Sequence, residues 1–284
     1  MTFHSEKNDI PLIKETRLQK ISVSLKCIND FYQDRNKQRI CILKEYSGKS
    51  EKSAFRGMII PSLRHLGLID GLGENISVSA NGMLLLAGKK NNDKEFIRIA
   101  QAIFLELDIQ KFHFVNEIKK HKSIEETLFI KEIEPTINSI SQKQSNERIK
   151  RWIKLLVECG LLIKKNKMIS LESDSISSSE RDLIISQKER KFESIFIKSY
   201  KKLMTDDLGI IKISKLREET SRIFYNEFNE IITETQFDNL LSKMPHVTDS
   251  YIISFGEPIG SDEKLFKYND RYFKSLNIKF FKGD

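Results

Sequence analysis

The sequence predicts a mainly α-helical chain with short β-hairpin wings, an α+β fold arranged as tandem winged helix-turn-helix subdomains. Helical periodicity dominates the apolar pattern and is interrupted by short strand pairs late in each third of the chain. A helix stopped by glycine and followed by strand, turn and strand occurs twice, at Leu66-Gly67-Leu68-Ile69 and at Cys159-Gly160-Leu161-Leu162. Both copies lie in stretches of excess positive charge.

The first part, residues 1–92, opens with an arm, residues 1–15, that has no apolar period. A helix follows, with Leu18, Ile21, Leu25, Ile28 and Phe31 as its stripe, and a second is expected near Arg39–Tyr46. A third, about Ser53–Leu66, ends at Gly67, where a positive φ is needed, and Pro61 either kinks it or starts a shorter one. Ile69 then leads into a turn, and Ile76-Ser77-Val78 alternates as a strand. Gly88-Lys89-Lys90-Asn91-Asn92-Asp93 reads as a linker.

The second part, residues 93–175, is a winged-helix or linking subdomain with a helix through Ala100–Leu107. Its best-defined helix is about Asn146–Glu158, stopped by Gly160. The turn Lys165-Asn166-Lys167 and the strand Met168–Leu171 complete a wing. The Ser-rich patch from Ser173 to Ser179 reads as a second linker. The third part, residues 176–284, has helices near Glu193–Met204, Ser214–Phe224 and Thr233–Ser242. Strands Tyr251–Phe255 and Tyr272–Phe281 follow, with Gly256-Glu257-Pro258 as a turn, so this part is also read as winged-helix-like.

Composition narrows the function. The 284 residues carry 48 Lys+Arg against 40 Asp+Glu, a formal net charge of +8, and 39% are hydrophobic. Twelve glycines and five prolines exclude collagen-like chains. No apolar run reaches the roughly 18 residues of a membrane span, and the first residues are no signal peptide. Cys27, Cys41 and Cys159 are odd in number and far apart, so the expectation is a cytoplasmic chain without disulfides. Residues 1–92 carry 15 basic and 9 acidic groups, 93–175 carry 15 and 13, and 176–284 carry 18 and 18. A polyanion is therefore expected on the first two parts, whereas the balanced third part favours packing or protein contact.

The major groove of duplex DNA admits a helix, and the two glycine-stopped helices are the natural readers. In the first, Phe55, Ile59, Leu63 and Leu66 point inward, leaving Lys49, Lys52, Ser53 and Arg56 for DNA. In the second, Ile149, Trp152, Ile153 and Leu156 point inward, leaving Lys143, Gln144, Asn146, Arg148 and Arg151. Arginine suits guanine, Asn and Gln suit adenine, and carboxylates such as Glu51 or Glu147 accept from cytosine. Lys164, Lys165 and Lys167 on the wing suit phosphate, and His4, Lys7 and Asn8 on the arm are expected to order on DNA.

Catalysis finds little support. Asp108 with Glu117-Ile118-Lys119 formally matches a metal-dependent nuclease, but a solvated helix face explains it better. The three cysteines and His4, His65, His113, His121 and His246 have no zinc-ligand spacing. Gly48-Lys49-Ser50 lacks the rest of a P-loop. An aromatic platform for single strands is missing from both basic regions.

The stretch Phe31-Tyr32-Gln33-Asp34-Arg35-Asn36-Lys37, the segment Leu66-Gly67-Leu68-Ile69, and Trp152 with Gly160-Leu161-Leu162 resemble the DNA-recognition region of FokI-like type IIS restriction endonucleases. The resemblance covers about the first 175 residues and rests on short, fold-level motifs. It implies sequence-specific binding of double-stranded DNA at a short asymmetric site, by a monomer, with Arg35 and the arm taking part. It also implies a separate Mg2+-dependent nuclease domain that is absent from this chain, so no catalytic centre, cofactor or membrane contact is expected here. A winged-helix transcription or replication regulator, or a protein-interaction subunit of a larger complex, are the alternatives.

Overall fold

A computed structural model gives the chain as mostly helical with small antiparallel sheets. It describes residues 10, 12–46, 50–71, 75–136, 141–172, 178–205, 208–258 and 264–281, with side chains from 188 onward in the helix that begins at Ser178. Two compact units emerge: Met1–Ile69 with Leu85–Ser175, and Asp70–Leu84 with Ile176–Asp284.

In the first unit, α1 (Leu18–Asp30) buries the expected Leu18, Ile21, Leu25 and Ile28. Helix α2 (Arg35–Lys44) starts four residues before its expected span, because Asp34 caps it by accepting the Lys37 amide at 3.0 Å. Cys27 and Cys41 form a disulfide between these helices, with Cα atoms 5.7 Å apart. This corrects the expectation of separate thiols: the turn after α1 folds α2 back and brings positions 14 residues apart side by side. The expected helix Ser53–Leu66 is two segments, a π-helical run Lys52–Ile59 and α3 (Ile60–His65). Pro61 accounts for the change. It has no amide hydrogen to offer Gly57 in an α-helical bond, and the ladder ahead of it shifts to wider bonds such as Ile60 N–H to Phe55 O.

Gly67 and Gly160 end their helices alike, with φ of +67° and +73°. Gly67 donates to Arg64 and Leu68 to Leu63; Gly160 donates to Val157 and Leu161 to Leu156. Each pair closes the orphan carbonyls of a last helical turn.

Strands β1 (Ile69–Asp70) and β2 (Ser77–Val78) precede α4 (Ala80–Asn91) and α5 (Asp93–Lys111). The Gly88–Asp93 segment is therefore not a linker. It is helical through Asn91, and Asn92 caps α5 by accepting the Glu95 amide. Gly88 lets α4 and α5 touch, since a Cβ there would lie 2.6 Å from Ile99 Cδ1. Helix α6 (Phe114–His121), β3 (Ser123–Glu125), α7 (Glu126–Ile133), α8 (Gln142–Glu158), β4 (Leu162–Lys165) and β5 (Met168–Leu171) follow. The strands form one antiparallel sheet in the order β3–β5–β4. Phe114, Phe129, Ile149, Trp152 and Ile169 fill the core between helices and sheet. Asn166 and Lys167, both at positive φ, make the tight β4–β5 turn.

The second unit runs α9 (Ser178–Leu203), β6 (Ile211–Lys212), α10 (Ile213–Phe228), α11 (Glu234–Lys243), β7 (Tyr251–Gly256), β8 (Phe266–Tyr268), β9 (Arg271–Phe273) and β10 (Ser275–Phe280). Its sheet order is β6–β10–β7, with β8–β9 a separate hairpin inserted between β7 and β10. The expected strand Tyr272–Phe281 is thus divided by a bend at Lys274 between β9 and β10. Phe192, Phe196, Phe224, Phe237 and Phe266 are at the centre of its core. Segment 70–84 belongs to this unit in part through Asn81, whose side chain caps the Glu234 amide at 3.1 Å while its own amide bonds Glu234 Oε1.

Candidate nucleic-acid interface

Helix α8 is capped by Ser141, which accepts the Gln144 amide, and its apolar face falls as expected, with Ile149, Trp152, Ile153 and Leu156 buried. Burial of those four fixes the opposite face by subtraction. Gln142, Lys143, Asn146, Glu147, Lys150, Arg151 and Lys154 line an open groove of about 640 Å³ on that face. The spacing is helical throughout, and four of the seven side chains are cations. The single carboxylate, Glu147, is engaged by Arg151 at 3.1 Å. Asn146 is half-buried, and its Oδ1 is buried without a hydrogen-bond partner.

Among the sequence-predicted readers, Lys143, Asn146 and Arg151 come together in this groove, and Gln144 is exposed beside it. Lys150 and Lys154 join them although sequence reasoning stopped at the N-terminal turns. They continue the Asn146 row at i+4 and i+8, so the signal was present in the spacing.

Arg148 and Arg151 also hold the arm. Arg148 Nη1 donates to the Ile10 carbonyl at 2.9 Å, and Arg151 Nη1 to the Lys14 carbonyl at 2.8 Å. On its other side, the arm's Lys14 and Glu15 amides donate to Ser62 Oγ on α3 at 3.0 and 3.2 Å. Burial pushes the Glu15 carboxyl up, but hydrogen bonds from Arg17 and Tyr46 outweigh it and hold the group below the usual carboxylate range. Ile10, Lys14 and Glu15 therefore stitch α8 to α3. Arg148→Ala is expected to raise the rate of tryptic cleavage at Lys14 about tenfold or more, as a charge-assisted bond is lost. Lys150→Ala should leave that rate unchanged; equal rates in both variants would remove the arm-holding role.

The first basic region is smaller. Glu51, Lys52, Arg56 and Gly57 line a hollow of about 450 Å³ on the π-helical run. Lys52 and Ser53 are exposed, and the Arg56 side chain is 73% exposed, 3.7 Å from Glu51. Glu51 also receives Arg39 at 3.0 Å. Arg35 lies over the Phe55 ring at 4.5 Å and braces α2 against the π-helical run. On the β4–β5 turn Lys165 and Lys167 are exposed, whereas Lys164 pairs with Glu126. His4, Lys7, Asn8 and Lys49 lie outside the described residues.

Asp108 is not on a solvated helix face. It is fully buried, accepting Trp152 Nε1 at 2.6 Å and the Val115 amide at 2.9 Å. It is a tie between α5, α6 and α8, while Glu117 pairs on the surface with Lys120. Among the described residues no group of three His, Cys, Asp or Glu side chains could hold a metal, and no helix is long and apolar enough to cross a membrane. Comparison of the chain with protein-family models, curated proteins and solved structures finds no match.

Proposed function

We propose that the protein binds double-stranded DNA, with α8 lying in the major groove and the β4–β5 hairpin serving as a wing on the phosphates. The carrying observation is the exposed stripe of α8, with four cations around Asn146 and one carboxylate already paired. The order α6, β3, α7, α8, β4, β5 with sheet order β3–β5–β4 supports a winged helix. The same order recurs in the second unit as α9, β6, α10, α11, β7, β10 with sheet order β6–β10–β7, which supports the tandem arrangement. Lys143, Lys150 and Lys154 would meet phosphates, giving affinity and salt dependence, while Asn146 would present its carboxamide to an adenine edge after a side-chain rotation that exposes its buried Oδ1. In its finer form, the chain is the target-recognition part of a type IIS restriction endonuclease, reading a short asymmetric site as a monomer and working with a Mg2+-dependent nuclease domain.

The test is selection of bound duplexes from a random pool, followed by salt titration. The pair Lys150→Ala, Lys154→Ala is expected to weaken selected and random duplex alike and to flatten the log–log salt slope by about two. Asn146→Ala should cost about 1–3 kcal/mol on the selected duplex and much less on random DNA. Failure of the unmodified protein to retain any duplex at low salt would sink the reading. A palindromic winner bound by two copies would make it a regulator instead.

A further inference from the structure

Residues 176–284 conceal their charge in a neutral total. Residues 264–281 carry Lys264, Lys267, Arg271, Lys274 and Lys279 against Asp270, whereas residues 176–263 carry 12 basic and 16 acidic groups. The acidic part includes α11, which stands where α8 stands in the first unit. Its carboxylates Glu234 and Asp238 are engaged by Lys264 and Arg217, and its exposed Lys243 is engaged by Glu189. A helix of this composition is a poor match for a polyanion.

The β8–β9 hairpin is the opposite case. Its register pairs Phe266 with Phe273, Lys267 with Tyr272, and Tyr268 with Arg271. Phe266 and Phe273 are buried, so the two-residue alternation of a strand turns Lys267 and Tyr272 outward, directly across from each other. Tyr272 is 53% exposed, and the Lys267 side chain 55%. Asn269 and Asp270, both at positive φ, close a two-residue turn that makes the ribbon stiff, and Phe255 packs against Phe266 and Phe273 at its root. Two surface ion pairs touch it, Lys267 with Asp270 and Arg271 with Glu257. Such exposed pairs are weak and exchange readily for a stronger anion.

We propose that this hairpin is a second nucleic-acid contact, in which Lys267 and the Tyr272 hydroxyl, side by side on its outward face, donate to phosphate oxygens of duplex DNA. The proposal rests on the duplex-binding reading above. The hairpin adds affinity and leaves base preference unchanged, because phosphate contacts carry no sequence information.

The experiment uses the full chain and a fluorescent duplex, selected or random. The double variant Lys267→Ala, Tyr272→Phe is expected to lose about fivefold in affinity on both duplexes and to flatten the salt slope by about one. Asp270→Asn removes a competing anion beside Lys267 and should tighten binding about threefold, a gain that a folding defect cannot imitate. If neither variant moves affinity or slope while Lys150→Ala, Lys154→Ala moves both, the hairpin contact is refuted and the α8 reading stands. If the unmodified chain binds no duplex, both fall.

Discussion

Arg217→Ala is expected to destabilise the second unit by about 3 kcal/mol, toward the lower end of what breaking a buried ion pair costs. The Arg217 side chain on α10 is 2% exposed and reaches Asp238 on α11 through two bonds, at 2.8 and 2.9 Å. A third donor, Nη1, bonds the Lys264 carbonyl at 2.8 Å, just ahead of β8. Removing the guanidinium strands the Asp238 carboxylate and frees the chain where it enters the hairpin. Asp238 retains 18% exposure, so water can recover part of the loss, which sets the estimate at the lower end. The double variant Arg217→Met, Asp238→Leu should restore most of the stability, since apolar side chains of similar volume avoid the desolvation cost of both ions. Urea unfolding followed by far-UV circular dichroism checks both. A double variant as unstable as Arg217→Ala would show that the Lys264 bond, not the ion pair, carries the effect.

The helix faces are legible in the sequence because burial follows a period. Ile149, Trp152, Ile153 and Leu156 recur at helical spacing, so the polar face of α8 follows by subtraction, and Gly160 marks the end through the positive φ its turn requires. What escapes the sequence is engagement over distance. Arg148 and Arg151 meet carbonyls 138 and 137 residues away, and a backbone carbonyl has no residue type to announce it. The same limit hides the Asp108–Trp152 bond and the Cys27–Cys41 pairing, both fixed by how helices fold back on each other. Pro61 is readable as a disturbance, but whether its missing donor ends a helix or widens one depends on which carbonyl is left over. In the third part, counting charge over whole segments averages an acidic helical region with a basic ribbon, and the average carries less information than either.

Asp108→Asn is expected to change the pH dependence of stability more than stability itself. Burial pushes the Asp108 carboxyl up to about 6, against the bonds from Trp152 and the Val115 and Phe114 amides, which favour the ionised form. In the unfolded chain the group titrates near 4. Between these values the folded protein binds more protons than the unfolded one, so stability falls as pH rises. Ionised Asp108 thus costs nothing below about pH 4 and up to about 3 kcal/mol above pH 6. Asparagine removes that titration. Its carboxamide oxygen can still accept Trp152 Nε1, but its amide then faces the Val115 N–H, at a cost of about 1–3 kcal/mol at every pH. The variant should therefore be clearly weaker than the parent at pH 4.5 and close to it, or stronger, at pH 7. The difference between the two profiles isolates this residue from groups such as Glu15, whose lowered value works in the opposite sense, its stabilisation being lost as pH falls. Urea titrations from pH 4.5 to 7.5, read by fluorescence of Trp152, follow the tie directly. Parallel profiles for parent and variant would mean that Asp108 is ionised in the folded state throughout, and that its hydrogen bonds outweigh its burial.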